Sequence, residues 1–173
     1  MHYNVAQLLK EPTGAIRHYR LDEDVTGIDP TLVLTQRLQG DIMMLRTVKG
    51  ILVTGNLITR IEVLCSRCLE PVDLPLEVNL EEEFQPTVDV ITGQRLPMEE
   101  EDQALWIDAH HILDLTEVIR QNLLLASPLH PLCRESCAGI CPECGKNLNE
   151  GPCECVFTEI DPRWSILASF KPI

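Results

Sequence analysis

Residues 51–84 read ILVTGNLITRIEVLCSRCLEPVDLPLEVNLEEEF. In the first half Ile51, Val53, Leu57, Ile61 and Val63 share one parity, and Thr54, Asn56, Arg60 and Glu62 largely take the other. Successive side chains of a strand point to opposite faces, so this spacing predicts a strand buried on one side. The second half repeats the pattern, with Val72, Leu74, Leu76, Val78, Leu80 and Phe84 set against Asp73, Glu77, Asn79, Glu81 and Glu83. Pro75 cannot donate to a ladder and predicts an edge position. If the two strands pair as a hairpin, Cys65-Ser-Arg-Cys68 lies at the tip, where ligands are accessible.

Outward from this hairpin the signals are shorter. Asn4 to Leu9 is expected to form a helix capped by Asn4, ended by Pro12 and Gly14. Thr31–Leu38 and Asp41–Val48 read as strands, with turns at Asp29-Pro30, Gly40-Asp41 and Lys49-Gly50. Residues 85–103 form an acidic excursion holding Pro86, Gly93 and Pro97, followed by a short strand near Leu105–Asp108. One helix is well marked: Asp114 as cap, Glu117 at the capping-box position, and Leu115, Val118, Ile119, Leu123 and Ala126 on one face before Pro128. Asp161-Pro162 opens a last helix, with Trp164, Leu167, Ala168 and Phe170 as its apolar face.

The fold class predicted is α+β: an antiparallel β-rich core with a few short helices and a small C-terminal cysteine-rich zinc-knuckle module. The expected boundaries are 1–130 for the core, 131–157 for the module and 158–173 for a helix packing back on the core. At 173 residues the chain suits one domain of ordinary size with a small appendage. No stretch approaches 18 uninterrupted apolar residues, and MHYNVAQLLKEPTG lacks the basic flank and apolar run of a signal peptide. A cytoplasmic protein with no membrane partner is expected.

Charge narrows the function classes. The formal net charge is −13, and from Glu77 to Glu117 twelve acids face the single base Arg95, a net of −11. Nucleic acid is bound mainly through Lys and Arg, so this segment repels RNA. It reads as a solvated acidic loop or, alternatively, as a surface for a basic protein. Seven aromatic residues leave few platforms for base stacking.

The eight cysteines carry the chemistry. Cys133, Cys137, Cys141, Cys144, Cys153 and Cys155 fall within 23 residues, and Cys65 and Cys68 repeat the two-residue gap upstream. Two thiolates so spaced around a tight turn can meet one tetrahedral Zn²⁺ at about 2.3 Å each. Gly145 supplies the turn in Cys141-Pro-Glu-Cys144-Gly145. The first-choice ligand set is Cys141, Cys144, Cys153 and Cys155; Cys133 and Cys137, or Cys65 and Cys68, are the competing pairs or a second site. A structural Zn²⁺ suits a segment with only Ala138, Ile140 and Leu148 as core candidates. Dithiol redox chemistry needs a helix after the CxxC, whereas a second strand follows Cys68. The spacings also miss the common iron–sulfur runs. His130 could replace a thiolate but reads better as a loop histidine.

No HExxH, GxSxG or phosphate-binding glycine loop is present, and the carboxylate runs are not spaced as an acid–base pair. No catalytic residue and no small-molecule substrate are expected.

Taken together, Asn4–Lys10 (NVAQLLK), Cys65–Pro71 (CSRCLEP), Glu82–Phe84 (EEF), Asp114-Leu115, Pro131–Cys133 (PLC), Gly139–Asn149 (GICPECGKNLN), Cys153–Cys155 (CEC) and Asp161–Arg163 (DPR) resemble the YceD family over nearly the full chain. This is the group of large-subunit ribosomal RNA accumulation proteins. The resemblance implies a non-enzymatic factor in accumulation or processing of that RNA, with a precursor of the large ribosomal subunit as partner and metal in a supporting role. The alternatives are a zinc-dependent or thiol-based enzyme, and an acidic chaperone for a basic ribosomal protein. If RNA is touched directly, the least unfavourable surface holds Arg17, Arg20, Arg37, Arg46, Lys49, Arg60 and Arg67.

Overall fold

The computed structural model describes residues 1–97 and 103–155. Its elements are β1 (His2–Asn4), α1 (Ala6–Lys10), β2 (Ile16–Glu23), β3 (Val33–Leu34), β4 (Leu38–Arg46), β5 (Ile51–Leu64), β6 (Pro71–Pro86), β7 (Trp106–Ile107), β8 (Ile112–Asp114) and α2 (Thr116–Ala126). The architecture is α+β and dominated by antiparallel pairing, with a cysteine cluster towards the C-terminus.

The long hairpin forms in full. β5 and β6 pair antiparallel from Ile51↔Phe84 to Leu64↔Pro71. Ile51, Val53, Leu57 and Ile61 of β5 are buried together with Leu76, Val78, Leu80 and Phe84 of β6. Each such side chain removed from water contributes about 1.5–3 kcal/mol. Pro75 faces Arg60 across the β5 ladder, and among the described residues the other side of β6 meets a strand only at Gln85 and Pro86, where β7 runs parallel. Along Pro75 the strand is therefore an edge, as its missing N–H requires.

The sheet continues through β4 and β2 in the order β2-β4-β5-β6-β7, with β3 also on β5. Its buried face, including Leu21, Leu38, Ile42 and Met44, shares one core with Leu8 and Leu9 of α1, Leu113 of β8, and Val118, Ile119 and Leu123 of α2. β1 pairs with β8 in a separate two-stranded sheet.

Several local expectations shift. Strand structure in 31–38 is confined to Val33–Leu34 and the first residue of β4, whereas Ile16–Glu23, for which no strand was expected, forms an edge strand. Gly40-Asp41 is no turn: Gly40 lies inside β4 opposite Leu21 and Leu57. A Cβ there would stand 2.1 Å from the Asn56 carbonyl oxygen, so the glycine serves close backbone approach between strands. The first helix starts at Ala6, two residues later than expected, because residues 2–4 are taken up by β1; Asn4 still accepts from the Ala6 N–H at 3.1 Å. Asp114 accepts from the Thr116 N–H at 3.0 Å, while Glu117 turns forward to Arg120 and Gln121 instead of closing a capping box.

The helix expected at Asp161-Pro162 and the acids Glu99 to Asp102 lie outside the described residues. Among the described residues no helix is long and apolar enough to cross a membrane.

Candidate metal centres

The tip of the β5–β6 hairpin is a knuckle. The Cys65 N–H donates to the Glu70 carbonyl at 2.9 Å and the Leu69 N–H to the Cys65 carbonyl at 3.0 Å. The second CxxC is built the same way: the Cys141 N–H donates to the Lys146 carbonyl and the Gly145 N–H to the Cys141 carbonyl, both at 2.8 Å. The residue after the second cysteine is left-handed in each, Leu69 at φ 60° and Gly145 at φ 72°. Such a turn folds the two thiols of a pair towards one point.

Segment 131–141 then closes over the hairpin tip. The Ser66 N–H donates to the Pro131 carbonyl at 2.8 Å, the Ile140 N–H to the Arg67 carbonyl at 3.1 Å, and the Arg67 guanidinium to the Cys137 carbonyl at 3.0 Å. Cys65, Cys68 and Cys137 form a small buried cluster with Leu132 and Ile140 packed on it. The tip is thus covered, not open as a bare hairpin end would be.

The eight thiols come together as two tetrads, Cys65-Cys68-Cys133-Cys137 and Cys141-Cys144-Cys153-Cys155, each with its sulfurs within 4.8 Å of one another. Cys133 and Cys137 stand with the remote hairpin pair, not with Cys141 and Cys144. His130 is exposed and belongs to neither group. Cys65 Sγ lies 3.8 Å from Cys137 Sγ, and Cys68 Sγ 3.7 Å from Cys133 Sγ. Four sulfurs about 2.3 Å from one tetrahedral ion stand about 3.8 Å apart, so the first tetrad has the dimensions of such a site. All eight cysteines are free thiols.

The electrostatics also suit a cation. Backbone N–H groups of Cys68, Cys133 and Arg67 bring the Cys65 thiol down to about 6, and those of Cys144 and Glu143 bring Cys141 down to about 7. The Asn149 side-chain amide, donating to Cys137 Sγ at 3.3 Å, lowers Cys137. Others move the opposite way. Burial and then Cys137 push Cys133 up to about 12; the Cys144 thiol and then burial push Cys155 up to about 12. Cys68 is raised by burial and by Cys65, against the pull of the Glu70 N–H. Four crowded thiols cannot all shed their protons unless a positive charge sits between them, and thiolates are what a soft cation binds. Two cysteine tetrads of this chain could therefore hold metal ions.

Asn149 is a residue the sequence does not single out. It follows Asn147, whose Oδ1 accepts from the Asn149 N–H at 3.0 Å and from its amide at 2.8 Å, fixing a short 3₁₀ turn over Leu148–Glu150. The signal available is the NLN run beside a CxxC, which marks a turn but not its target.

The candidate RNA surface is less free than its composition implies. Most of its cations are engaged within the fold, among them Arg17 with Glu11, Arg37 with Asp22, Arg60 with Asp73, Arg46 with the Thr47 and Gly50 carbonyls, and Arg67 with the Cys137 carbonyl. The acidic segment is partly structural as well. Asp89 accepts from the N–H groups of Ile91 and Thr92, Asp108 from those of His110 and Ile112, and Asp114 from that of Thr116 at the start of α2, whose N-cap position is Leu115.

An uncharacterized protein of Mycobacterium tuberculosis strain H37Rv is 35% identical over 119 residues, covering 69% of this chain and 55% of its own length. One from Mycobacterium bovis matches to the same extent. One from Mycobacterium leprae is 29% identical over 119 residues, covering 69% of this chain and 52% of its own length. The chain thus spans about half the length of the curated relatives it matches. No solved structure gives a significant match. The family model described as large ribosomal RNA subunit accumulation protein YceD matches residues 53–171, from inside β5 through both tetrads, and the chain belongs to that family.

Proposed function

We propose that this chain is a non-enzymatic factor in the accumulation or processing of large-subunit ribosomal RNA, with Zn²⁺ at both tetrads as architecture. The observation that carries the reading is the family match over residues 53–171. The donor sets agree with it. A catalytic zinc keeps a position for water or substrate, whereas four sulfurs complete a tetrahedral sphere. Cys65, whose thiol the surrounding backbone N–H groups lower, is fully buried and offers no approach to a substrate. In the first tetrad Cys65, Cys68, Cys133 and Cys137 would join the hairpin tip to segment 131–141; in the second Cys141, Cys144, Cys153 and Cys155 would close the segment upon itself. Bound zinc would supply folding free energy to residues 131–155, which have little apolar material of their own.

Depletion followed by gradient sedimentation tests the proposal. Large subunits and their RNA should fall relative to small subunits and recover when the chain is restored; an unchanged ratio overturns it.

Contact with the precursor through a basic protein, in preference to bare RNA, is favoured by the engaged arginines and by the net charge of −11 between Glu77 and Glu117. Pull-down of large-subunit proteins should weaken steeply as salt rises, since exposed charges are screened within about 10 Å at 0.1 M. Capture that is indifferent to salt contradicts it.

A further inference from the structure

The two tetrads are not independent. The connection between Cys144 and Cys153 belongs to the second tetrad, yet several of its hydrogen bonds run to the chain around Cys137 of the first. Asn149, in the middle of that connection, donates its amide N–H to Cys137 Sγ at 3.3 Å. Its Oδ1 accepts from the Ala138 N–H at 2.9 Å and from the Arg134 guanidinium at 2.8 Å, so one side chain grips the chain on both sides of Cys137. The Leu148 N–H donates to the Gly139 carbonyl at 2.9 Å, and Ile140 forms a bridge with Asn147. Closing the second tetrad fixes the ends of this connection at Cys144 and Cys153. That presents Asn149 to a ligand of the first.

We propose that the two tetrads take up thiophilic divalent ions cooperatively, with Asn149 as the positioning residue that couples them. The proposal rests on the metal reading above. A hydrogen bond to a coordinating sulfur holds its orientation and offsets part of its charge, and loss of such outer partners typically costs 10–100-fold in metal affinity. Coupling between sites is reciprocal, so an ion in the first tetrad, by ordering Cys137 and the chain beside it, holds Asn149 and thereby favours the second.

Native mass spectrometry of the reduced, metal-free chain with one equivalent of Zn²⁺ tests this. Independent sites, alike or unequal, place half or more of the protein in the one-ion form. Between sites of like intrinsic affinity, coupling of about 10–100-fold lowers that fraction to about a tenth to a quarter, leaving mainly zero-ion and two-ion species. Asn149→Ala should raise the one-ion fraction to half or above. Asn149→Asp, which keeps the acceptor for Ala138 and Arg134 but loses the donor to sulfur, should do the same.

A second comparison uses the double variant Cys141→Ser/Cys144→Ser, which disables the second tetrad. It should weaken Zn²⁺ binding at the first tetrad about 10-fold or more when Asn149 is present, and cause little further loss in the Asn149→Ala background. A first-tetrad affinity for Zn²⁺ that Cys141→Ser/Cys144→Ser leaves unchanged overturns the coupling while leaving two metal sites in place. A wild type that retains no Zn²⁺ overturns the metal reading itself.

Discussion

Asp29 shows what one carboxylate does in this fold. It is buried in the loop after β2, where its Oδ1 accepts from the Thr31 hydroxyl at 2.6 Å and the Thr31 N–H at 2.8 Å, and its Oδ2 meets Arg120 of α2 at 2.8 Å. The Thr31 hydroxyl first, then the Thr31 N–H and Arg120, hold its pKa below the ordinary carboxylate value. A group lowered on folding contributes its stability in full above its unfolded pKa, about 3.9, and loses it as pH falls through the folded value. Asp29→Asn should therefore be less stable than the wild type at neutral pH, and the gap in urea midpoint should narrow as pH falls below about 3.9. A gap that stays constant across that range contradicts the assignment. In the sequence Asp29 reads only as part of a turn with Pro30; its bond to Arg120 crosses 91 positions and depends on where α2 packs.

At the scale of elements the two knuckles make a controlled comparison. Gly145 takes its left-handed φ of 72° at no steric cost, and a Cβ there would meet nothing within 4 Å. Leu69 holds φ 60° while the residue is 57% exposed, so it bears the left-handed penalty with little packing in return. Gly145→Ala should cost about 1 kcal/mol in thermal or denaturant melts, whereas Leu69→Gly should change stability by less than about 0.5 kcal/mol, strain relief offsetting unfolded-chain entropy. A large loss on Leu69→Gly would show that the turn geometry does not govern this knuckle.

The same scale explains which elements were legible. β5 and β6 carry period-two burial over 14 and 16 residues, enough for alternation to dominate every local exception. β2 has Leu21 as its one fully buried residue, with charged or polar side chains on both parities, because it lies at the sheet edge. Gly40 and Asp41 read as a turn since glycine usually marks one; inside β4 the glycine answers instead to the Asn56 carbonyl of the neighbouring strand.

For the whole molecule, the sequence displays eight sulfur donors but leaves their partition open. Cys65 and Cys137 lie 72 positions apart and Cys68 and Cys133 lie 65 apart, so their meeting depends on the complete hairpin and on segment 131–141 crossing its tip. The hydrophobic core, by contrast, is assembled from the sheet and its helices without the cysteine cluster. Stripping metal with a chelator under reducing conditions should therefore abolish amide-exchange protection in 131–155 and at the β5–β6 tip, at a cost on the order of 10 kcal/mol for that region. The inner residues of β4, β5 and β6 should stay protected. Uniform loss across the sheet would mean that the ions support the entire fold.

The account stands on two ions, each enclosed by four cysteine sulfurs. X-ray absorption at the zinc edge on the reduced, zinc-loaded chain, with metal counted on the same sample, tests it most directly. Two ions per chain, each with four sulfur neighbours at about 2.3 Å, is the result this account predicts. A shell that includes oxygen or nitrogen, or a chain that holds no zinc and carries disulfides in its place, would contradict it.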